Sequence, residues 1–288
     1  MLSMKQRSKK AQKKSNTAIK IILIIVFVLA AAVFCVAGYK LLSAMNKYDE
    51  AKDAYEDIRS NFYDASSTKR PSSKEKESES ETLDPDDLDD GFVWDFSKLL
   101  EINPEGVGYI RMRGGGDNII DFPIVQGTDN AYYLDHMFDG TVNNAGAIFM
   151  DCYARDGFDS RYCIIYGHNM KSGSRMFSCL KNYKDPEYFA AHPEIDIYAG
   201  EKHYVYKVFA QFQTTTDSFV YANIYPDDET LLSMIWQGLE SSAIDAGIPW
   251  EYFSADSHVI TLSTCTDQYD SHLRDVVMLV RDREVVSK

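Results

Sequence analysis

The chain has 288 residues, enough for one sizeable domain with appendages, and a net charge of −14. Its first 40 residues hold eight Lys/Arg and no Asp/Glu, which leaves −22 on the remainder. A basic head on an acidic body is not a nucleic-acid pattern, so nucleic acid is excluded as a partner; it is a membrane-topology pattern.

Ile21 to Tyr39 carries no charge over 19 residues, close to the ~20 that a helix needs to cross a bilayer core. Lys5, Arg7, Lys9, Lys10, Lys13, Lys14 and Lys20 precede it. They hold residues 1–20 in the cytoplasm as a basic tail and make 21–39 a single-pass signal anchor, with everything after it outside the cell membrane. A cleaved signal peptide is the competing reading. Its apolar region is shorter, ~7–15 residues, and ends in a small-x-small site, whereas Ala30-Ala31-Ala32 lies inside this run. Cys35 follows Phe34 rather than the small residue a lipoprotein site requires, so it reads as apolar filler.

Leu41 to Phe62 reads as a polar helix with a thin apolar stripe through Leu42, Met45, Tyr48 and Tyr55. Ala65 to Asp90 is Ser, Lys, Glu and Asp with little to bury, a disordered spacer that gives the domain reach. Residues 40–90 are thus expected to be stalk and linker, and 91–288 the extracytoplasmic catalytic domain. A short helix is expected over Phe92–Leu100, stopped at Asn103-Pro104. Eight strand-like runs follow: Val107–Arg113, Ile119–Val125, Ala147–Met150, Tyr162–Tyr166, Ile195–Tyr198, His203–Thr214, His258–Ser263 and Val276–Val286. Helical pieces are expected near Met176–Leu180 and Pro186–Ala191, between the fourth and fifth runs. A longer helix begins at Pro226-Asp227-Asp228-Glu229, between the sixth and seventh. Its expected apolar face is Leu231, Leu232, Ile235, Trp236 and Leu239. Many short strands with few helices make the fold class mainly β, a closed barrel or a sandwich.

The five cysteines are Cys35, Cys152, Cys163, Cys179 and Cys265. Their spacing fits neither a zinc site nor a disulfide framework, so no metal is expected. Buried free thiols are the expected state, with a Cys152–Cys163 bridge as the alternative. Cys265 ends the run Thr261-Leu262-Ser263-Thr264-Cys265, where a side chain can face a cleft. His168 ends a second run after Tyr166-Gly167, and Arg274 opens the last one. Alone, such a cysteine is usually a small core hydrophobe, and such an arginine pairs with Asp270 or Asp275. Together at three strand ends, the three supply a thiol nucleophile, its base or imidazolium, and a fixed cation for an oxyanion. Of the other histidines, only His272 rivals His168 as the base, and it lies close to Cys265 in sequence. Asp267 is expected to be a solvated turn residue.

The Thr-Leu-Ser-Thr-Cys string, the downstream Arg274 and Tyr166-Gly167-His168 closely resemble the signature of the sortases, the cysteine transpeptidases of Gram-positive cell walls. Ile102-Asn103-Pro104-Glu105-Gly106-Val107-Gly108-Tyr109-Ile110 and Asp129-Asn130-x-x-Tyr133-Leu134 resemble class B in particular, as does the helix before the seventh strand. The resemblance spans roughly Asp95 to Glu284 and implies the eight-stranded sortase barrel. By matching position it implies Cys265 as nucleophile, with His168 and Arg274 completing the catalytic set. It places Asn130, Leu134, Tyr166 and Ser263 along a sorting-signal groove. The implied partners are secreted proteins with a C-terminal sorting motif, cleaved at its threonine. The implied acceptor is an amine of peptidoglycan or its lipid-linked precursor, or a pilin lysine. No cofactor is implied. The pilus-building class C enzymes carry an Asp-Pro-aromatic lid, and Asp84-Pro85-Asp86 lacks the aromatic. Two other readings stand beside this one. An L,D-transpeptidase-like cell-wall enzyme would place its Arg within two residues of Cys, not nine. A membrane-tethered binding module would make Cys265 structural.

Overall fold

The structure, a computed structural model, describes residues 2–63, 92–113, 119–170, 176–265 and 272–285. The proposed spacer Ala65–Asp90, Asp84-Pro85-Asp86, Asp267 and Asp270 lie outside the described residues. The chain divides into two compact units, Met1–Asp49 and Glu50–Lys288.

The first unit is the leading part of helix α1 (Leu2–Ser60). Its apolar side chains from Leu23 to Val36 are exposed. By length and composition, α1 can cross a membrane.

The second unit is a closed eight-stranded barrel with the end of α1 packed into it. The strands are β1 (Gly106–Arg111), β2 (Asp121–Val125), β3 (Ile148–Met150), β4 (Tyr162–Tyr166), β5 (Glu194–Ala199), β6 (Lys202–Thr215), β7 (Val259–Cys265) and β8 (Leu273–Val285). Their order around the barrel is β1-β2-β3-β4-β7-β8-β6-β5, and β5 closes on β1. The β2–β3 and β4–β7 pairs are parallel and the others antiparallel. Each of the eight expected runs became one strand. β2, β4 and β7 are buried nearly throughout, which accounts for the apolar runs Phe122–Val125 and Tyr162–Ile165 in β2 and β4. The long β6 and β8 pair along their whole lengths, and two bulges in their register bend the sheet towards closure.

Helix α2 (Phe96–Ile102) starts later than expected because Asp95 caps it, accepting from the backbone N–H of Ser97 and Lys98 at 3.0 and 3.2 Å. Between β4 and β5 lie a 3-10 turn over Leu180–Lys184 and α3 (Pro186–Ala191). A one-turn helix α4 (Phe219–Ala222), not foreseen, follows β6. Helix α5 (Asp228–Ser241) is capped by Asp227 and buries Leu231, Met234, Ile235 and Gly238. Trp236, expected on that buried face, points outward at 51% exposure and meets Trp250 edge to face.

The end of α1 departs most from the sequence reading. Ala51, Tyr55, Ile58 and Phe62 are buried, and their spacing of four, three and four is one helical stripe. Phe62 lies against Trp94 and Tyr109, and Tyr55 meets Phe122 edge to face. Arg59 pairs with Asp121 at 3.2 Å. Of the expected stripe Leu42, Met45, Tyr48 and Tyr55, only Tyr55 is among these buried residues; Ala51, Ile58 and Phe62 were not foreseen. The folded unit begins at Glu50 rather than near Gly91. Tyr63 and Phe92 form a β-bridge, and Phe62 C=O accepts from Val93 N–H at 2.8 Å. Residues 63 and 92, the described residues on either side of that stretch, therefore lie side by side on this unit.

Candidate active site

The parallel pairing of β4 with β7 sets Tyr166 beside Ser263. The antiparallel pairing of β7 with β8 sets Cys265 directly opposite Arg274. His168 follows β4 by two residues. Strand register alone thus gathers the three residues that the sequence placed at three strand ends.

Asn130, Leu134, Phe149, Tyr166, Gly167, His168, Thr216, Tyr221, Ser263, Thr264 and Arg274 line one cavity of ≈ 330 Å³. It contains His168, Arg274 and all four residues proposed for the groove. Cys265 enters as the backbone residue that ends β7, two residues beyond Ser263. None of the other histidines lines this cavity. His136 stacks on Tyr132, His203 pairs with Asp196, and His258 bonds Ser160 C=O. His192 ends α3, and His272 C=O accepts from Thr216 N–H.

The imidazole of His168 is held through Nε2, 2.7 Å from the carbonyl oxygen of Leu134. A carbonyl only accepts, so this contact puts a proton on Nε2. Gly146 shapes the wall behind the ring. It has φ +61°, and a Cβ there would lie 2.6 Å from Tyr133 O, 2.8 Å from Leu134 O and 2.9 Å from His168 Cδ2. Only glycine fits both the backbone and the space. Gly167 lets the chain pass Phe177 in the same way, since its Cβ would lie 2.7 Å from the ring.

The groove side has its own support. Asp151, 3% exposed, accepts at Oδ2 from Tyr166 Oη at 2.8 Å and from Asn130 Nδ2 at 2.9 Å. Asn130 Oδ1 accepts from Cys152 N–H at 2.8 Å, so its amide is fixed at both ends. Burial, then the Asp151 carboxylate, pushes the Tyr166 phenol well above its ordinary range. Ser263 Oγ lies 2.7 Å from Tyr221 Oη, which α4 brings to the cavity. Arg274 Nη1 donates to Leu273 C=O at 2.9 Å. Asp275, one of its suggested partners, accepts from Gln213 Nε2 at 3.0 Å. The sequence reading missed Asp151, Tyr221, Phe149 and Thr216. Asp151 had no signal beyond its place after β3, and Tyr221 sits on a helix too short to show a period.

Cys152, Cys163 and Cys179 are free thiols, which closes the Cys152–Cys163 alternative. Burial pushes Cys163 and Cys179 up to about 12. Burial, then Asp151 and Asp129, also raises Cys152. Among the described residues no cluster of His, Cys, Asp and Glu could hold a metal ion.

A profile of the sortase domain matches residues 117–282. Sortase B of Listeria monocytogenes is 34% identical over 172 residues, 60% of this chain and 67% of that protein. The crystal structure of Staphylococcus aureus sortase B is similar at a TM-score of 0.58 and 27% identity, over 67% of this chain and 87% of that one. A substrate complex of the S. aureus enzyme is similar at a TM-score of 0.57 and 26% identity, over 65% and 84% of the two chains.

Proposed function

The chain belongs to the sortase family, in its class B branch, and from that premise we propose a membrane-anchored transpeptidase with Cys265 as nucleophile. It cleaves a C-terminal sorting motif at its threonine and transfers the protein to an amine. The observation that carries this reading is the register that sets Cys265 opposite Arg274, beside the strand that leads to His168.

The Cys265 thiolate attacks the threonine carbonyl, and Arg274 offsets the charge developing on its oxygen. The C–N bond breaks, His168 gives a proton to the departing amine, and a thioester remains on Cys265. The incoming amine attacks that thioester and His168 takes its proton. The thiolate leaves as the new amide forms. The secreted protein's motif lies along Asn130, Leu134, Tyr166 and Ser263, as suits a similar enzyme solved as a substrate complex. The acceptor is an amine of peptidoglycan or its lipid-linked precursor, or a pilin lysine. Residues 21–39 anchor the enzyme with its N-terminus in the cytoplasm and its barrel outside.

The test uses the full chain in detergent with quenched peptides of Leu-Pro-x-Thr-Gly and Asn-Pro-x-Thr-x type and a short glycine peptide as acceptor. Cleavage after threonine with an amide product is expected. No cleavage of either type contradicts the reading.

Two further outcomes follow from the geometry. A soft electrophile at pH 8 should alkylate Cys265 at least ~100-fold faster than Cys163 or Cys179, whose thiolate fractions near pKa 12 are ~10⁻⁴. Equal labelling, read by peptide mapping, contradicts an activated thiol. Asp151→Asn should raise KM about tenfold with kcat changed less than about threefold, because Asn130 and Tyr166 lose their shared anion. Steady-state kinetics on a cleaved peptide measures the split.

A further inference from the structure

We infer that Tyr55, on the helix leading from the apolar segment, is a positioning residue for His168. This rests on the sortase reading above. Tyr55 is 2% exposed and lies 91 residues from the group it bonds. Its Oη donates to Gly146 C=O at 2.7 Å and accepts from Phe138 N–H at 3.3 Å. Both partners lie on the loop between the 3-10 turn over Tyr132–Leu134 and β3. That loop folds back on itself, with Ala147 N–H on Tyr133 C=O at 2.9 Å and Asn143 N–H on Asp135 C=O at 2.8 Å. The turn holds the histidine through Leu134 C=O on Nε2, and the loop passes close behind the ring at Gly146, where a Cβ would lie 2.9 Å from Cδ2.

The peptide carbonyl of Gly146 bonds Tyr55, and the imidazole closes the space where a side chain would stand, since a Cβ on Gly146 would lie 2.9 Å from His168 Cδ2. With φ +61° and three close neighbours, Gly146 has little room to shift independently of either. The loop's other anchor is Asn103, whose Nδ2 donates to Tyr133 Oη at 3.0 Å and Phe138 C=O at 2.6 Å. Tyr55 is the anchor at the histidine end. Removing its hydroxyl leaves Gly146 C=O and Phe138 N–H buried without that partner, and the loop must move to satisfy them. A displacement near 1 Å is enough to cost catalysis on the order of 10²-fold, so a partial shift should be felt at His168.

The experiment compares Tyr55→Phe with Ile58→Ala in the full chain, using a peptide that the unaltered enzyme cleaves. Ile58 is buried on the same helical stripe, and its loss weakens docking without touching the Gly146 bond. Rates are normalised to active sites titrated with a thiol electrophile, and the pH profile of kcat/KM is recorded. The titratable groups that line the cavity with the imidazole are Arg274 on β8, Tyr166 on β4 and Tyr221 on α4. Neither substitution alters them. For Tyr55→Phe we expect an about tenfold lower normalised kcat, little change in KM, and a displaced pH midpoint. For Ile58→Ala we expect a lower melting temperature with the midpoint unmoved. A Tyr55→Phe enzyme with unaltered midpoint and normalised kcat overturns the inference. So does an Ile58→Ala enzyme that shifts the midpoint equally, since helix docking in general would then be responsible. An unaltered enzyme that cleaves no peptide refutes the proposed transpeptidase activity instead.

Discussion

Cys265→Ala should abolish peptide cleavage, by roughly 10⁴-fold or more, while the protein stays folded. Cys35, Cys152, Cys163 and Cys179 do not line the cavity that holds His168 and Arg274. Cys163 and Cys179 are buried, and burial holds both in the protonated form near neutrality. Thr264 and Ser263, the nearest hydroxyls along β7, are 3% and 2% exposed, and Ser263 is engaged with Tyr221. The substitution removes one sulfur at the end of a strand whose β4 and β8 ladders do not depend on that side chain. Cleavage rates and a thermal melt measured on one preparation give both numbers. Lost activity with a melting temperature within a few degrees of the parent fits catalysis. A large drop in melting temperature would instead make Cys265 a core residue, as a binding module requires.

The second large effect is on stability. A chain that starts at Gly91 lacks Tyr55, Ile58 and Phe62, all buried against the barrel. At about 1.5–3 kcal/mol for each large side chain, the loss is about 5–9 kcal/mol. A whole domain is stable by only ~5–15 kcal/mol. Phe122, Trp94 and Tyr109 would lose ring partners, and Asp121 would lose Arg59 and the Tyr63 hydroxyl. The Gly91 chain should therefore be aggregated or melt far below a chain that starts at Glu50. Denaturant titration of the two, side by side, decides it. Equal midpoints would mean that the α1 stripe contributes nothing to the fold.

That error is instructive about what a sequence exposes. The eight strands were legible because each is a short β-branched or aromatic run bounded by Gly, Asn, Asp or Pro. The cavity was legible because a histidine, a cysteine and an arginine ended such runs, and strand ends cluster at one rim of a barrel. The α1 stripe was legible only at Tyr55, because Ala51, Ile58 and Phe62 are spread among Lys52, Asp53, Glu56 and Asp57, and the more obvious apolar residues lie upstream. Trp236 was misplaced for the converse reason: it is large and apolar but sits at a position facing another exposed tryptophan. Asp151 and Tyr55 act through hydrogen bonds to residues 15 to 91 positions away, and no local pattern encodes such partners.

The central claim is that Cys265 carries the acyl group between donor and acceptor. Intact-protein and peptide mass spectrometry of the full chain, mixed with a cleaved sorting peptide and no added amine, tests it most directly. The account predicts an adduct with the mass of the peptide's N-terminal fragment, mapped to Cys265 and discharged when a glycine peptide is added. Cleavage without any adduct on Cys265, or an adduct on another residue, would contradict it.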